Sequence, residues 1–354
     1  MIPQHLDFLV RVSCITYNHA PYIVDAMNGF VMQQTSFPFV CTILDDASTD
    51  GEKEIIKSYL EKHFDLSDNS IAYDEETEDY NLTFTRHKTN HNCYFAVLYL
   101  KYNHYSIKKS KQPYISRWSD TKYVALCEGD DYWIDSLKLQ KQLDFMESHL
   151  DYSMCWHDAS RRDAVTNQEK GDFKRYEADT TCPTEDLIMG GDFCPTASLF
   201  YRKEIYEKAP DELFNQYVGD YPLQVYMALM GKVYFFNKMM SVYRVNVPGS
   251  WVNRSYDYSC KENREKIWPK EIKMYNDFNS FSHNKYSHAF KQQEYKYMFR
   301  EMLKLSDFNS ARKYWYKLDF DKRPWDWVLI LNMHGRISLK MFFKRFWEGI
   351  RGHE

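Results

Sequence analysis

Short apolar runs alternate with amphipathic stretches through the first half of the chain. Residues 9–15 (Leu-Val-Arg-Val-Ser-Cys-Ile) predict a strand that closes on Thr16-Tyr17-Asn18-His19. A helix is expected from Pro21, whose missing N–H costs nothing in a first helical turn. Residues 39–44 predict a second strand, closed by Asp45-Asp46-Ala47-Ser48-Thr49-Asp50-Gly51, and residues 52–63 a second helix. Residues 122–127 predict a further strand that ends in Glu128-Gly129-Asp130-Asp131, followed by a helix at about 136–149 and a strand at 153–157. Strand–helix alternation with near-continuous apolar strands predicts an α/β fold, a mostly parallel central sheet flanked by helices. Ligands of such open sheets bind outside the carboxyl ends of the strands. The polar clusters at 16–19, 45–50 and 128–131 all fall there.

The pattern weakens elsewhere. Residues 65–121 hold an acidic stretch and a Lys-rich piece, and predict irregular loops with one helix near 93–109. Residues 160–185 are polar and read as a surface excursion. Beyond about residue 255, charged and aromatic residues recur at helical spacing with few glycines, which predicts a helical C-terminal region. The expected division is therefore 1–254 for the α/β domain and 255–354 for the helical part.

Composition narrows the function. A formal charge of -4 argues against a general nucleic-acid binder, which is normally basic. The 29 Tyr, 23 Phe and 9 Trp suit stacking on sugars or bases, but suit an ordinary core equally well. The eight cysteines show no CxxC spacing, so neither a disulfide framework nor a zinc site is expected, in keeping with a reducing compartment. No basic-then-apolar leader opens the chain and no stretch reaches the ~20 apolar residues that span a bilayer. The expected location is the cytoplasm.

Asp45 and Asp46 end the second strand, where a carboxylate can accept from a ribose hydroxyl or a base N–H, or cap the next helix. In Glu128-Gly129-Asp130-Asp131, residues i and i+2 of an extended chain share a side, so Glu128 and Asp130 face one site. Clustered carboxylates repel unless a cation neutralises them, and Mg²⁺ or Mn²⁺ commonly bridges carboxylate to phosphate. Asp220 precedes the helix at 223–230 and reads either as a general base or as its cap.

Taken in order, Val12-Ser13-Cys14-Ile15-Thr16-Tyr17-Asn18, Leu44-Asp45-Asp46-Ala47-Ser48-Thr49-Asp50, Ala125-Leu126-Cys127-Glu128-Gly129-Asp130-Asp131-Tyr132-Trp133, and Gly219-Asp220-Tyr221-Pro222-Leu223 with Ser241-Val242-Tyr243-Arg244-Val245 resemble the family 2 glycosyltransferases of bacterial polysaccharide synthesis. The resemblance covers roughly residues 9–250 and implies the Rossmann-like GT-A fold. It implies an inverting transfer from a nucleotide-diphosphate sugar, more readily UDP- than GDP- or dTDP-linked, to a glycan or lipid-linked glycan hydroxyl. It places Thr16, Tyr17 and Asn18 in the first nucleotide-binding loop and gives Asp46 the base, with Asp45 beside it. Asp130 would hold a divalent cation, Mn²⁺ or Mg²⁺, with Glu128 and Asp131 alongside. Arg244 would lie near the diphosphate, and Asp220 would be the catalytic base. The chain departs from the family's pattern at Glu128, which replaces an aspartate, at Asn246, where many relatives carry a histidine, and in a longer, more polar segment 86–121.

Two other classes share strand-end acids. A sugar-nucleotide nucleotidyltransferase would carry a Gly-rich basic loop near its N-terminus, and Thr16-Tyr17-Asn18-His19 has no glycine. A catalytically silent glycan-binding scaffold would not need the acids at 130, 131 and 220. In the tail, Leu339, Phe342, Phe343, Phe346, Trp347 and Ile350 share a helix face near Lys340, Lys344, Arg345 and Arg351. That face suits peripheral contact with the inner face of the cell membrane, or packing on the catalytic domain or a second subunit in a homodimer.

Overall fold

The computed structural model describes residues 7–115, 120–190, 193–214, 219–250 and 261–319. The tail face at 339–350 lies outside the described residues. The described residues form two compact units. One draws on the described residues within 1–184, 192–209 and 226–253, and the other on those within 185–191, 210–225 and 254–354.

The first unit is built on a 13-stranded mixed sheet. Its strands are β1 (Val10–Thr16), β2 (Phe39–Asp45), β3 (Phe64–Asp65), β4 (Tyr73–Glu76), β5 (Tyr80–His87) and β6 (Cys93–Leu100). They continue as β7 (Tyr123–Leu126), β8 (Tyr132–Trp133), β9 (Tyr152–Asp163), β10 (Glu169–Asp172), β11 (Thr180–Cys182), β12 (Phe200–Arg202) and β13 (Lys232–Val245). The main path runs β11-β13-β9-β12-β7-β1-β2-β6-β5-β3. The centre, β7-β1-β2-β6, is parallel, and so is the β9–β13 pair. The neighbours β5 and β12 run antiparallel to that centre, so the parallel character predicted from sequence holds for the four central strands and for the separate β9–β13 pair.

Period-2 alternation builds a core on both faces. Phe39, Cys41 and Ile43 of β2 join Phe95 and Val97 of β6 in one cluster, while Val40 and Leu44 join Ala96 and Leu98 in another. Helices α1 (Ile23–Val31), α2 (Glu52–His63) and α3 (Lys138–Ser148) cover the first face. In α2 the inward residues are Ile56, Tyr59 and Leu60, the i, i+3, i+4 stripe of a half-buried helix. Each fully buried aliphatic or aromatic side chain contributes ~1.5–3 kcal/mol. The seven cysteines among the described residues are buried thiols within this unit.

Three expectations are corrected. The helix expected near 93–109 is strand β6, all eight residues buried. Cys-Tyr-Phe-Ala-Val-Leu-Tyr-Leu is covered on both sides, so it shows no alternation to mark it as a strand. The irregular loops expected at 65–92 instead carry β4 and β5. The polar stretch 160–185 continues the sheet through the end of β9, β10 and β11.

Helix α4 (Asp220–Met230) crosses the boundary between the units. The second unit is helical, with α5 (Lys261–Phe281), α6 (Ser287–Lys304) and α7 (Phe308–Lys317). Met298, Phe299, Met302 and Leu303 of α6 close on Ala311 and Trp315 of α7, and Asp307 caps α7 by accepting from Ser310 N. No helix among the described residues is long and apolar enough to cross a membrane.

Candidate active site

Strands β1, β2 and β7 release their loops at one edge, and those loops interlock. Thr16 ends β1 in register with Asp45 at the end of β2. Asn18 takes a left-handed backbone, φ 57°, which Asn tolerates better than most residues. From there its backbone N donates to Ser48 Oγ (2.9 Å) and its Oδ1 accepts from Thr49 N (2.8 Å). Ala20 N donates to Asp50 Oδ2 (2.9 Å). The hub is Glu52, the first residue of α2, wholly buried. Its carboxylate accepts from the Thr16 hydroxyl, from His19 N (2.8 Å) and from Ser48 Oγ (2.9 Å). Tyr17 lies half-buried on the same loop.

The two aspartates after β2 face the protein. Asp45 is 1% exposed and accepts from Ser48 N (2.9 Å). Burial raises its pKa to about 6 against the lowering effect of Ser48. Asp46 is 2% exposed. Its carboxylate accepts from His104 N (2.7 Å), Tyr105 N (3.2 Å) and Lys111 Nζ (2.9 Å), while Asn103 Nδ2 reaches its backbone carbonyl (3.0 Å). The resemblance gives Asp46 to the base, but here it anchors the 103–111 loop with both oxygens occupied.

Gly129 passes so close to Thr16 that a Cβ there would lie 2.2 Å from Thr16 Oγ1. Glu128 is exposed and Asp130 half-buried, as i and i+2 neighbours on the open side. Asp130 Oδ2 lies 3.7 Å from His19 Nε2. Asp131 points inward, 1% exposed. Its Oδ1 accepts from Arg244 N (2.8 Å) and its Oδ2 is buried with no hydrogen-bond partner. Burial first, and then the Asp130 charge, push its pKa well up. Asp131 thus ties β13 to the loop. Arg244 is also locked at this edge. Its guanidinium donates to Asp130 O (2.7 Å) and to Asp25, and lies over the rings of Tyr132 (4.5 Å) and Tyr22 (5.0 Å).

No protein-family model matches the chain. The uncharacterized proteins Rv1520 of Mycobacterium tuberculosis and Mb1547 of Mycobacterium bovis are each 28% identical over 262 residues, 73% of this chain and 63% of theirs. The chain therefore spans less than two thirds of the length of those relatives. Among solved structures, S. aureus TarS 1–349 in complex with UDP-GlcNAc superposes with a TM-score of 0.53 at 14% identity, over 90% of this chain and 78% of that one. TarS 1–349 in complex with UDP gives 0.50 at 14% identity, over 89% and 77%. These neighbours are GT-A glycosyltransferases. The fold is GT-A.

In this GT-A sheet the predicted residues Thr16, Asn18, Asp45, Asp130, Asp131 and Arg244 gather at one edge, with Asp46 behind it. Asp220 belongs to the second unit, at the first turn of α4, where its Oδ1 accepts from Tyr221 N (2.9 Å). Asn246 gives its side chain to Asp163 (2.8 Å). Among the described residues, no group of three or more His, Cys, Asp or Glu side chains converges to hold a metal ion. Asp130 and His19 nevertheless offer a carboxylate and an imidazole at the open edge. The carboxylate fits a hard cation that takes one or two protein carboxylates and completes its shell with phosphate and water. Sequence reasoning missed Glu52, His19 and Asp25. An acid opening a helix reads as an ordinary complement to the helix dipole, so only its place directly after the Asp45–Gly51 cluster marked Glu52 out.

Proposed function

We propose that the chain is an inverting, metal-dependent glycosyltransferase that moves a sugar from a nucleotide-diphosphate donor, a UDP-sugar, onto a hydroxyl of a glycan or lipid-linked glycan. The observation that carries this reading is the interlock of three strand-end loops at one edge of a GT-A sheet, with the Asp130 carboxylate on its open side. The nearby fold TarS holds UDP-GlcNAc, which supports the choice of base. In this scheme the 16–18 loop cradles the nucleoside and Arg244 fixes the 130–131 backbone. Asp130 is the residue that would hold a cation, whose bound charge offsets that building on the departing diphosphate. The acceptor oxygen forms its bond to the anomeric carbon as the bond to the diphosphate breaks, and one such displacement inverts the centre. Asp220 takes the acceptor proton.

The reading is tested by thermal stabilisation with UDP, GDP and UDP-sugars, with and without Mn²⁺, since a ligand of the native state raises apparent stability by mass action. No stabilisation by any nucleotide would remove it. The base assignment is tested separately by Asp220→Asn. Asn still suits a helix N-terminus, so melting and donor binding should hold while turnover falls about 10²–10⁴-fold. Near-normal turnover would reduce Asp220 to a helix cap.

A further inference from the structure

We propose that His19 is a direct ligand of the divalent cation that accompanies the diphosphate, and that Glu52 is the positioning residue that aims it through Thr16. The proposal rests on the nucleotide-sugar reading above. Thr16 has a single hydroxyl proton, and it goes to the buried Glu52 carboxylate. The Thr16 oxygen, 3.2 Å from His19 Nδ1, is left to accept, so Nδ1 carries the imidazole proton. A ring that binds a metal through its other nitrogen does so in the neutral form, and with the proton on Nδ1 that form presents its lone pair at Nε2.

That lone pair faces Asp130 Oδ2 across 3.7 Å, with both side chains 15% exposed. The separation is too long for a hydrogen bond. In the neutral form the two facing atoms, an imidazole nitrogen and a carboxylate oxygen, form a bidentate seat for a cation at the open edge. Arg244 does not supply it, because its guanidinium donates to the Asp130 backbone carbonyl and to Asp25. Among the described residues no other hydrogen-bond or ion-pair partner reaches the Asp130 carboxylate. Ligands at about 2.1 Å from a shared ion stand about 3 Å apart at a right angle and about 3.6 Å apart at 120°, so the gap admits such an ion with little movement. The seat is built in. A Cβ at Gly129 would lie 3.1 Å from His19 Nδ1 as well as striking Thr16. Ligating histidines characteristically donate their second nitrogen to a fixed acceptor, and the Glu52–Thr16 pair provides one.

The test is pulsed EPR on the full chain loaded with Mn²⁺ and UDP, repeated with Mn²⁺ and inorganic pyrophosphate to remove dependence on the base. A directly bound imidazole gives a ¹⁴N hyperfine coupling, which should change to that of ¹⁵N when the protein carries ¹⁵N-histidine. His19→Gln should abolish the coupling and weaken Mn²⁺ in the ternary complex at least tenfold. Glu52→Gln should weaken it about 10–100-fold, the range typical of groups that orient a metal ligand. Mn²⁺ that binds with nucleotide or pyrophosphate but shows no nitrogen coupling in the wild type overturns the His19 assignment and leaves the nucleotide-sugar reading standing. A coupling that persists in folded His19→Gln also overturns it. Absence of any Mn²⁺-dependent binding with either probe removes both. The wild-type spectrum decides the matter even if a variant fails to fold.

Discussion

The end of β2 and the loop after β7 each carry two adjacent aspartates, and the structure uses the two pairs differently. Asp45 and Asp46 are both buried, and both face protein donors. In the second pair Asp131 turns inward to Arg244 N, while Asp130 stays at the open edge across from His19. Neighbours on an extended chain point to opposite sides, so each pair has one inward and one outward choice. What covers the outward side decides the rest. The 103–111 loop closes over Asp46, whereas nothing among the described residues beyond His19 engages the Asp130 carboxylate. Acidity at a strand end is therefore a poor guide to ligand contact until the covering elements are known.

The largest expected effect breaks the symmetry of the second pair. Asp130→Asn should leave melting nearly unchanged, remove most Mn²⁺-dependent donor binding, and lower turnover at least about a hundredfold. A cation at the leaving group is worth several kcal/mol, and each 1.36 kcal/mol is about tenfold in rate. Asp131→Asn keeps an acceptor for Arg244 N and should cost no more than about tenfold. Steady-state kinetics on the two variants side by side checks this. Equal losses would mean that both carboxylates serve the donor and that the inward placement of Asp131 does not persist with ligand bound.

Much of this edge was legible in the sequence, for physical reasons that stop where tertiary cover begins. Helix α2 runs over the predicted 52–63 because Ile56, Tyr59 and Leu60 form a clear stripe and Lys62 and His63 suit its C-terminus. The ends of β1 and β2 were readable because an apolar run stops abruptly at polar residues. Strand β6 was not readable, since burial on both faces removes the alternation that separates strand from helix. The cover over Asp46 was not readable, because its partners, His104, Tyr105 and Lys111, come from a loop far along the chain. Glu52 and His19 escaped for the same reason. Their importance lies in contacts with each other, Thr16 and Asp130, and neither residue type at its position announces them.

The next prediction sharpens the contrast at Asp46. If its role is to anchor the 103–111 loop, Asp46→Ala should destabilise the protein by about 3 kcal/mol, the scale for removing one partner of a buried, hydrogen-bonded ion pair. Lys111 keeps some solvent access, 17% of its side chain, which places the cost at the lower end of that range. Limited proteolysis should show new cleavage within 103–111 at protease levels that leave the wild type intact. A variant with unchanged unfolding midpoint and loop protection, but with lost nucleotide affinity, would restore Asp46 to the base-binding role that the family resemblance gave it.

Asp45 offers the finest test, because its burial has a pH signature. Burial pushes the carboxyl up to about 6 in the folded chain, against 3.8 for a free aspartate. A carboxyl whose folded pKa stands above its unfolded one favours the native state while protonated. That contribution is full below about pH 4 and is lost as pH rises through 6. Ionised Asp45 therefore costs the wild type up to about 3 kcal/mol at neutral pH, from a shift of roughly two units at 1.36 kcal/mol each. Asp45→Asn cannot ionise and still accepts from Ser48 N. Its stability relative to wild type should climb between pH 4 and pH 7 and level off above that. Urea unfolding of both proteins across this range gives the difference directly, free of the other carboxylates they share. A difference that stays flat with pH would mean that Asp45 is solvated well enough in the native state to ionise freely, and that the end of β2 opens to water as the end of β7 does.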